Sequence, residues 1–271
     1  MIRKVLGIDL ASSKWSAVGS ATVEFDAEAG RFTRVVAGAI RWPASPLTPG
    51  ALADAIDAFA RRKGVRAVAL DGPQGWRDPA TPLDAPGVGR RCEYECRTQG
   101  KTGAYPRTFP GTQRGWIEFC IEVFANLLGR PWVVQADLAA GARRASAYAV
   151  LECFPTSVWR SSGLVPLPAK SRRPDLAPYL KSLTAAYRLP ATIVANHDDL
   201  QAVVAAISAA AAVGGPVVAL PKGTPARLVP RAHGSPLRVE GYIWDAKPDR
   251  LTRPSSAHRR SPRAMRLPIL R

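Results

Sequence analysis

Carboxylates close three short apolar runs in this chain, and a further pair opens a fourth segment. Lys4-Val-Leu-Gly-Ile-Asp9, Val65-Arg-Ala-Val-Ala-Leu-Asp71 and Ala147-Tyr-Ala-Val-Leu-Glu152 each read as a buried strand ended by an acid. Asp198 and Asp199 stand just ahead of the long apolar stretch Ala202 to Leu220. A carboxylate at the end of a hydrophobic strand is expensive to leave unpaired. Several such ends at one rim of a sheet would hold a divalent cation, since Mg²⁺ and Mn²⁺ prefer oxygen ligands. The reaction such a rim suits is two-metal phosphodiester hydrolysis, with ions roughly 4 Å apart. The candidate catalytic residues are Asp9, Asp71, Glu152 and Asp198, and the metal-ligand set adds Asp199. Each has a plainer reading. Asp71-Gly72-Pro73 can be a turn, and Asp198 or Asp199 can cap a helix, where the macrodipole favours acids. Asp9 is the hardest to explain in that way, because apolar residues surround it.

The charge points to a polyanionic partner. The 271 residues carry 38 Lys and Arg against 21 Asp and Glu, a net charge of +17. The stretch Lys247 to Arg271 holds eight basic residues and one acid, so the rest of the chain remains basic. Such a balance favours nucleic acid, either RNA or DNA, as the partner. Arg90, Arg91, Arg97, Lys101 and Arg107 crowd one segment, with Tyr94 and Tyr105 among them. Basic residues interleaved with aromatics suit a nucleic-acid groove. Lys170, Arg172 and Arg173 form a second cluster that can meet phosphates. Solvated surface is the alternative for both clusters.

Cysteine narrows the chemistry little. Cys92 and Cys96 could supply two zinc ligands, but Cys120 and Cys153 lie far off and the histidines are His197, His233 and His258. A structural zinc site needs four convergent ligands. Few cysteines and no signal peptide fit a reducing cytoplasm. The apolar stretch Ala202 to Leu220 is broken by Gly214-Gly215-Pro216. It reads as a buried helix, a turn and a strand rather than a membrane span.

The elements that would position the acids follow from periodicity. Residues 4–10 form a buried strand, with 15–23 and 34–41 as the next two strands of a meander. Leu52, Ile56, Phe59 and Ala60 fall on one helical face, and Gly64 stops that helix. Residues 65–70 form the fourth strand. Residues 74–111, rich in Gly, Pro and Arg, read as a long irregular excursion. Trp116, Phe119, Cys120, Val123 and Leu127 mark a second amphipathic helix. Residues 147–152 form the fifth strand, 174–187 and 198–212 are helices, and 217–245 hold one or two late strands. From residue 247 to 271 Pro, Ser and Arg dominate, which predicts a disordered basic tail after one domain spanning 1–246. The fold class is α/β. The element order is that of a ribonuclease-H-like mixed sheet, a three-strand meander followed by crossover strands and flanked by helices. In it strand one lies beside strand four, and strand five beside four.

These residues also resemble a family. Gly7-Ile-Asp9 with Trp15, Ala69-Leu-Asp71-Gly-Pro73, Arg91-Cys-Glu93 with Arg97, Leu151-Glu-Cys-Phe-Pro-Thr156, His197-Asp-Asp-Leu-Gln-Ala-Val-Val-Ala-Ala206 and Glu240-Gly-Tyr-Ile243 are similar, in order and spacing, to the blocks of the predicted-nuclease family called domain of unknown function 429. The resemblance covers about Ile2 to Asp245. It implies a ribonuclease-H-like fold and a nuclease activity dependent on one or two Mg²⁺ or Mn²⁺ ions. In the Leu151 block it marks Glu152, with Pro155-Thr156 shaping a turn beneath it. The chain departs from the family at Gln201, where a second Asp often stands, and that bears on a second metal. The alternatives are a non-catalytic nucleic-acid-binding or structural protein of the same fold, and a nucleotide-binding protein of the kinase and actin superfamily. Asp9-Leu-Ala-Ser-Ser13 is faintly similar to the phosphate loop of the latter. That architecture needs two such domains, and the chain has no second glycine-rich phosphate loop.

Overall fold

In a computed structural model, which describes residues 1–81, 88–136, 148–231 and 234–249, the chain is a mixed α/β structure around one large sheet. Its strands are β1 (Ile2–Asp9), β2 (Gly19–Asp26), β3 (Arg31–Ala37), β4 (Val65–Asp71), β7 (Val133–Gln135), β8 (Tyr148–Cys153), β9 (Val217–Val229) and β10 (Leu237–Pro248). A two-stranded ribbon, β5 (Lys101–Thr102) and β6 (Thr108–Phe109), stands apart. The sheet order is β3-β2-β1-β4-β8-β10-β9, and β7 also pairs with β8. β1 is antiparallel to β2 and β2 to β3, which makes the expected meander. β1, β4 and β8 run parallel in that order, so the central neighbours are those the element order predicts.

Helices cover both faces. On one face α1 (Pro49–Lys63) and α3 (Arg114–Leu128) pack on Leu6, Ile8, Val68, Leu70 and Val150. Pro49 at the first turn and Thr48, whose hydroxyl accepts from the Ala51 N–H at 3.1 Å, start α1. Gly64, at φ 64°, ends it in the left-handed conformation that glycine adopts without strain. On the other face α6 (His197–Ala212) lies on Val5, Ala21, Val23, Ala67, Ala69 and Leu151. α4 (Pro155–Ser161) and α5 (Ala177–Tyr187) extend that layer. A strand's side chains alternate between faces. Val5 and Ala67 on one face, and Leu6 and Val68 on the other, show it directly.

Several boundaries differ from the sequence expectation. The second strand starts at Gly19, because Trp15–Ala17 closes into a single 3₁₀ turn stacked through Trp15 on Trp42. The third strand runs from Arg31 rather than Arg34. The 74–111 excursion contains a short helix, α2 (Arg91–Glu95), and the β5–β6 ribbon. Pro155-Thr156 opens α4 rather than shaping a turn, since proline is preorganised for a first helical position. β10 continues through Lys247 and Pro248, paired with Val218 and Val217, so residue 247 belongs to the sheet and not to a tail. Residues 250–271, which hold most of the expected basic tail, lie outside the described residues. Among those described, no helix is long and apolar enough to cross a membrane.

Candidate metal centre

Two parallel strands and one helix start build the site. Asp9 ends β1 and Asp71 ends β4, and the two are register partners. Both follow the alternation onto the α6 face, Asp9 after Val5 and Gly7, and Asp71 after Ala67 and Ala69. α6 reaches them because small residues let it lie on the sheet backbone. A Cβ at Gly7 would overlap the Ala202 carbonyl oxygen and the Ala206 nitrogen, and one at Gly19 would overlap the Asp198 carbonyl. Gly19 is the antiparallel partner of Asp9, so this close approach fixes the first turn of α6 beside the Asp9 strand end. Asn196 caps the helix, accepting from the Asp199 N–H at 2.8 Å.

Ligand atoms of Asp9, His197 and Asp198 lie within 4.8 Å of one another. Asp198 is buried and held by Lys170. His197 Nε2 donates to the Pro168 carbonyl at 2.9 Å, which leaves Nδ1 as the unprotonated nitrogen of the neutral ring. Nδ1 is buried, has no hydrogen-bond partner, and stands 3.6 Å from Asp198 Oδ1. A metal-binding imidazole commonly donates its other nitrogen to a carbonyl or carboxylate in this way.

Electrostatics mark the same place. Burial, then the nearby Asp71 and Asp198 carboxylates, push the Asp9 pKa well above the usual carboxylate range. Burial, then Glu152, push Asp71 up to about 7, against the pull of His197. Burial also works on Asp198, but His197 and Lys170 outweigh it and hold that carboxyl low. The Asp198 carboxylate raises the His197 pKa. Acids crowded together with an unpartnered imidazole nitrogen are a donor set for a divalent cation. One nitrogen among oxygens suits Mn²⁺ better than Mg²⁺.

The other sequence candidates fall elsewhere. Glu152 is a register partner of Leu70, while Asp71 faces Cys153. Alternation therefore sends Glu152 to the opposite face from Asp9 and Asp71. There Arg90 clamps it with two bonds, 2.8 and 2.7 Å, and the Gln74 N–H donates at 2.9 Å. Glu152 is thus satisfied by protein and is not part of the Asp9, His197 and Asp198 group. Asp199 is also engaged, accepting from the Ser20 N–H at 3.1 Å and the Asn196 amide at 2.8 Å. Arg90 needs correcting as a nucleic-acid contact. It is 1% exposed and paired with Glu93 and Glu152, so no phosphate can reach it.

The remaining basic candidates are distributed over the surface. Arg91 is exposed and paired with Glu95. Lys101 bonds to Thr98 and sits over the Tyr94 ring. Arg97, Arg107, Arg172 and Arg173 are exposed, as is Lys170 beside Asp198. All four cysteines are buried free thiols. His197, which the sequence reading passed over as a ligand, carries its signal in being next to Asp198 at a helix start.

A cavity of about 530 Å³ opens beside these acids. Asp71, His197 and Gln201 stand on its wall with Glu152, Arg160 and Arg172. Gln201 accepts from the Trp159 indole N–H at 3.2 Å, so at this position a carboxamide does structural work. No family model, no curated protein and no solved structure matches this chain.

Proposed function

We propose that the chain is a ribonuclease-H-like, metal-dependent nuclease that hydrolyses phosphodiester bonds in nucleic acid. The observation that carries the reading is the buried, unpartnered Nδ1 of His197 turned toward Asp9 and Asp198. The meander followed by parallel β1, β4 and β8 supports the fold assignment. Asp9, Asp198 and His197 would hold one Mn²⁺ or Mg²⁺ ion, with Asp71 beside them. When bound, the ion would polarise the scissile phosphate and lower the pKa of an attacking water. Asp71, whose carboxyl is raised by burial in the metal-free protein, is the neighbouring group suited to take a proton from water. Lys170 keeps Asp198 ionised and in place. A second ion has weaker support, because Arg90 occupies both oxygens of Glu152 and Gln201 is not an acid. That same shortage favours the non-catalytic nucleic-acid-binding alternative.

The test is cleavage of RNA, duplex DNA and branched DNA by purified wild-type protein and Asp9→Asn, with Mn²⁺ and with Mg²⁺. Calorimetric Mn²⁺ binding is measured on both. Metal-dependent cleavage lost in Asp9→Asn supports the nuclease. Equal cleavage by both proteins would place the activity in a contaminant or another site. Nucleic-acid binding without Mn²⁺ binding would favour the non-catalytic reading.

A further inference from the structure

The cavity beside the metal centre restricts what can be bound there. Its volume of about 530 Å³ lies in the range of sites that enclose one small ligand, about 300–1,000 Å³. A duplex, whose major groove alone is about 12 Å wide, cannot enter such a space. One unpaired nucleotide can.

The wall has parts that suit one. Trp116, Ile117, Phe154 and Leu167 contribute apolar lining. The Trp116 indole N–H is tied to the Leu10 carbonyl at 3.3 Å, which holds that ring in place. Aromatic walls bind bases of any sequence through their π faces. Thr98, Gln99, Thr102 and Gln113 add hydrogen-bonding groups.

The charge accounting adds direction. Glu93 and Glu152 on the wall share the buried Arg90, which offsets one of their two charges. Asp71 stands at the metal end. Arg160 and Arg172 are the cations left facing the cavity. Among the described residues Arg160 donates to the neutral carbonyls of Cys96 and Arg97 and has no ion pair. Arg172 is exposed and has no ion pair among the described residues.

We propose that this cavity receives a single unpaired nucleotide, with its base inside the pocket and its phosphate between the metal centre and Arg172. The substrate class is then unpaired nucleic acid or a free nucleotide, not intact duplex. The inference rests on the nuclease reading for the role of the metal, and its test separates the two.

Fluorescence anisotropy in Mn²⁺ would compare a short phosphorothioate-linked single strand, which resists cleavage, with a blunt GC-rich duplex of the same strand. A nucleoside 5′-monophosphate serves as competitor. The single strand should bind at least about tenfold tighter than the duplex. Arg172→Glu should weaken single-strand binding about tenfold. Arg62→Glu, an exposed residue of α1 outside the cavity, makes the same charge change and should alter it by less than about threefold. Competition by the mononucleotide at concentrations comparable to the strand assigns the pocket to free nucleotides. Competition only by strands assigns it to unpaired ends or loops. Duplex binding as tight as single strand, or equal weakening by Arg172→Glu and Arg62→Glu, would overturn the proposal. Calorimetric Mn²⁺ binding on the same protein is read separately. Its absence defeats the metal reading, whereas Mn²⁺ binding combined with duplex preference defeats only this one.

Discussion

Two groups of acids flank the same end of the central strands and are handled in opposite ways. On the α6 face Asp9, Asp71 and Asp198 stand close together, with Lys170 paired to Asp198. On the other face Glu93 and Glu152 share the buried guanidinium of Arg90 and further backbone N–H groups from Gln74, Arg90 and Thr102. Two acids, one cation and several donors make the second group a finished structural strut. It ties the 74–111 excursion to β8. The first group has a surplus of negative charge and a buried imidazole nitrogen with no hydrogen-bond partner. The difference lies in how the charge is compensated, since both groups stand at the same end of the central strands. A metal would complete the first group and has nothing to add to the second.

The comparison breaks most visibly in rate. Asp9→Asn keeps the volume and removes the charge at the centre of the first group. If the nuclease reading holds, cleavage should fall on the order of a thousandfold, which corresponds to about 4 kcal/mol of transition-state stabilisation. Stability without metal should hold or rise, because like-charge crowding is relieved. Single-turnover cleavage and thermal unfolding in EDTA would check both halves. A large loss of stability in Asp9→Asn would make the first group structural after all.

Arg90→Ala should show the reverse pattern. It strands two buried carboxylates, and breaking a buried pair from one side typically costs about 3–5 kcal/mol. The melting temperature in denaturant or heat scans should drop severely. Mn²⁺ affinity, measured on whatever fraction folds at low temperature, should change far less than in Asp9→Asn. An Arg90→Ala protein as stable as wild type would show that the strut carries no load.

Gly7→Ala probes the geometry that joins strand and helix. The added methyl must push α6 away from β1, and overpacking of this kind costs about 1–3 kcal/mol. Because α6 carries His197 and Asp198, Mn²⁺ affinity should fall along with stability. Calorimetry beside a chemical denaturation curve would separate the two. Lost stability with unchanged Mn²⁺ affinity would mean that the helix start is positioned by something other than its contact with β1.

How much of this can be read from residues alone follows from the same two groups. The acids were legible as strand ends, because each closes an apolar run, and the neighbour order β1, β4, β8 followed from a meander succeeded by crossovers. The face of Glu152 was not. A strand buried on both sides lacks the alternation that reveals which way a side chain points, and the register that pairs Glu152 with Leu70 is set across the sheet. Arg90 looked like one more surface cation, because the acid that buries it lies 62 residues away. His197 was hidden for a similar reason. Its tautomer depends on the Pro168 carbonyl, a contact that spacing does not encode. The α2 helix inside the excursion begins where the Glu93 carboxylate accepts from the Arg90 N–H, a local cue masked by the Gly, Pro and Arg content around it.

The smallest effect concerns pH and sharpens the comparison on the metal-free protein. Asp71 has its pKa raised from 3.8 to about 7 in the folded state, by burial and then by Glu152. Below pH 4 it is protonated in both folded and unfolded chains and contributes no pH dependence. Between about 4 and 7 the folded chain keeps a proton that the unfolded chain has released. Stability from this group therefore declines as pH rises through that window, and the decline is complete above 7. Burial raises Glu152 too, against the pull of Arg90, so it adds a slope of the same sign that Asp71→Asn leaves in place. Asp71→Asn should flatten the slope of melting temperature against pH between 4 and 7 in EDTA. Adding Mn²⁺ to wild type should work in the opposite direction, because the ion competes with the proton and binds better as the carboxylates ionise. The stabilisation by Mn²⁺ should thus grow across the same window in which the metal-free protein weakens. An Mn²⁺ stabilisation that grows with pH as steeply in Asp71→Asn as in wild type would remove Asp71 from the metal centre and leave Asp9, His197 and Asp198 as its protein ligands.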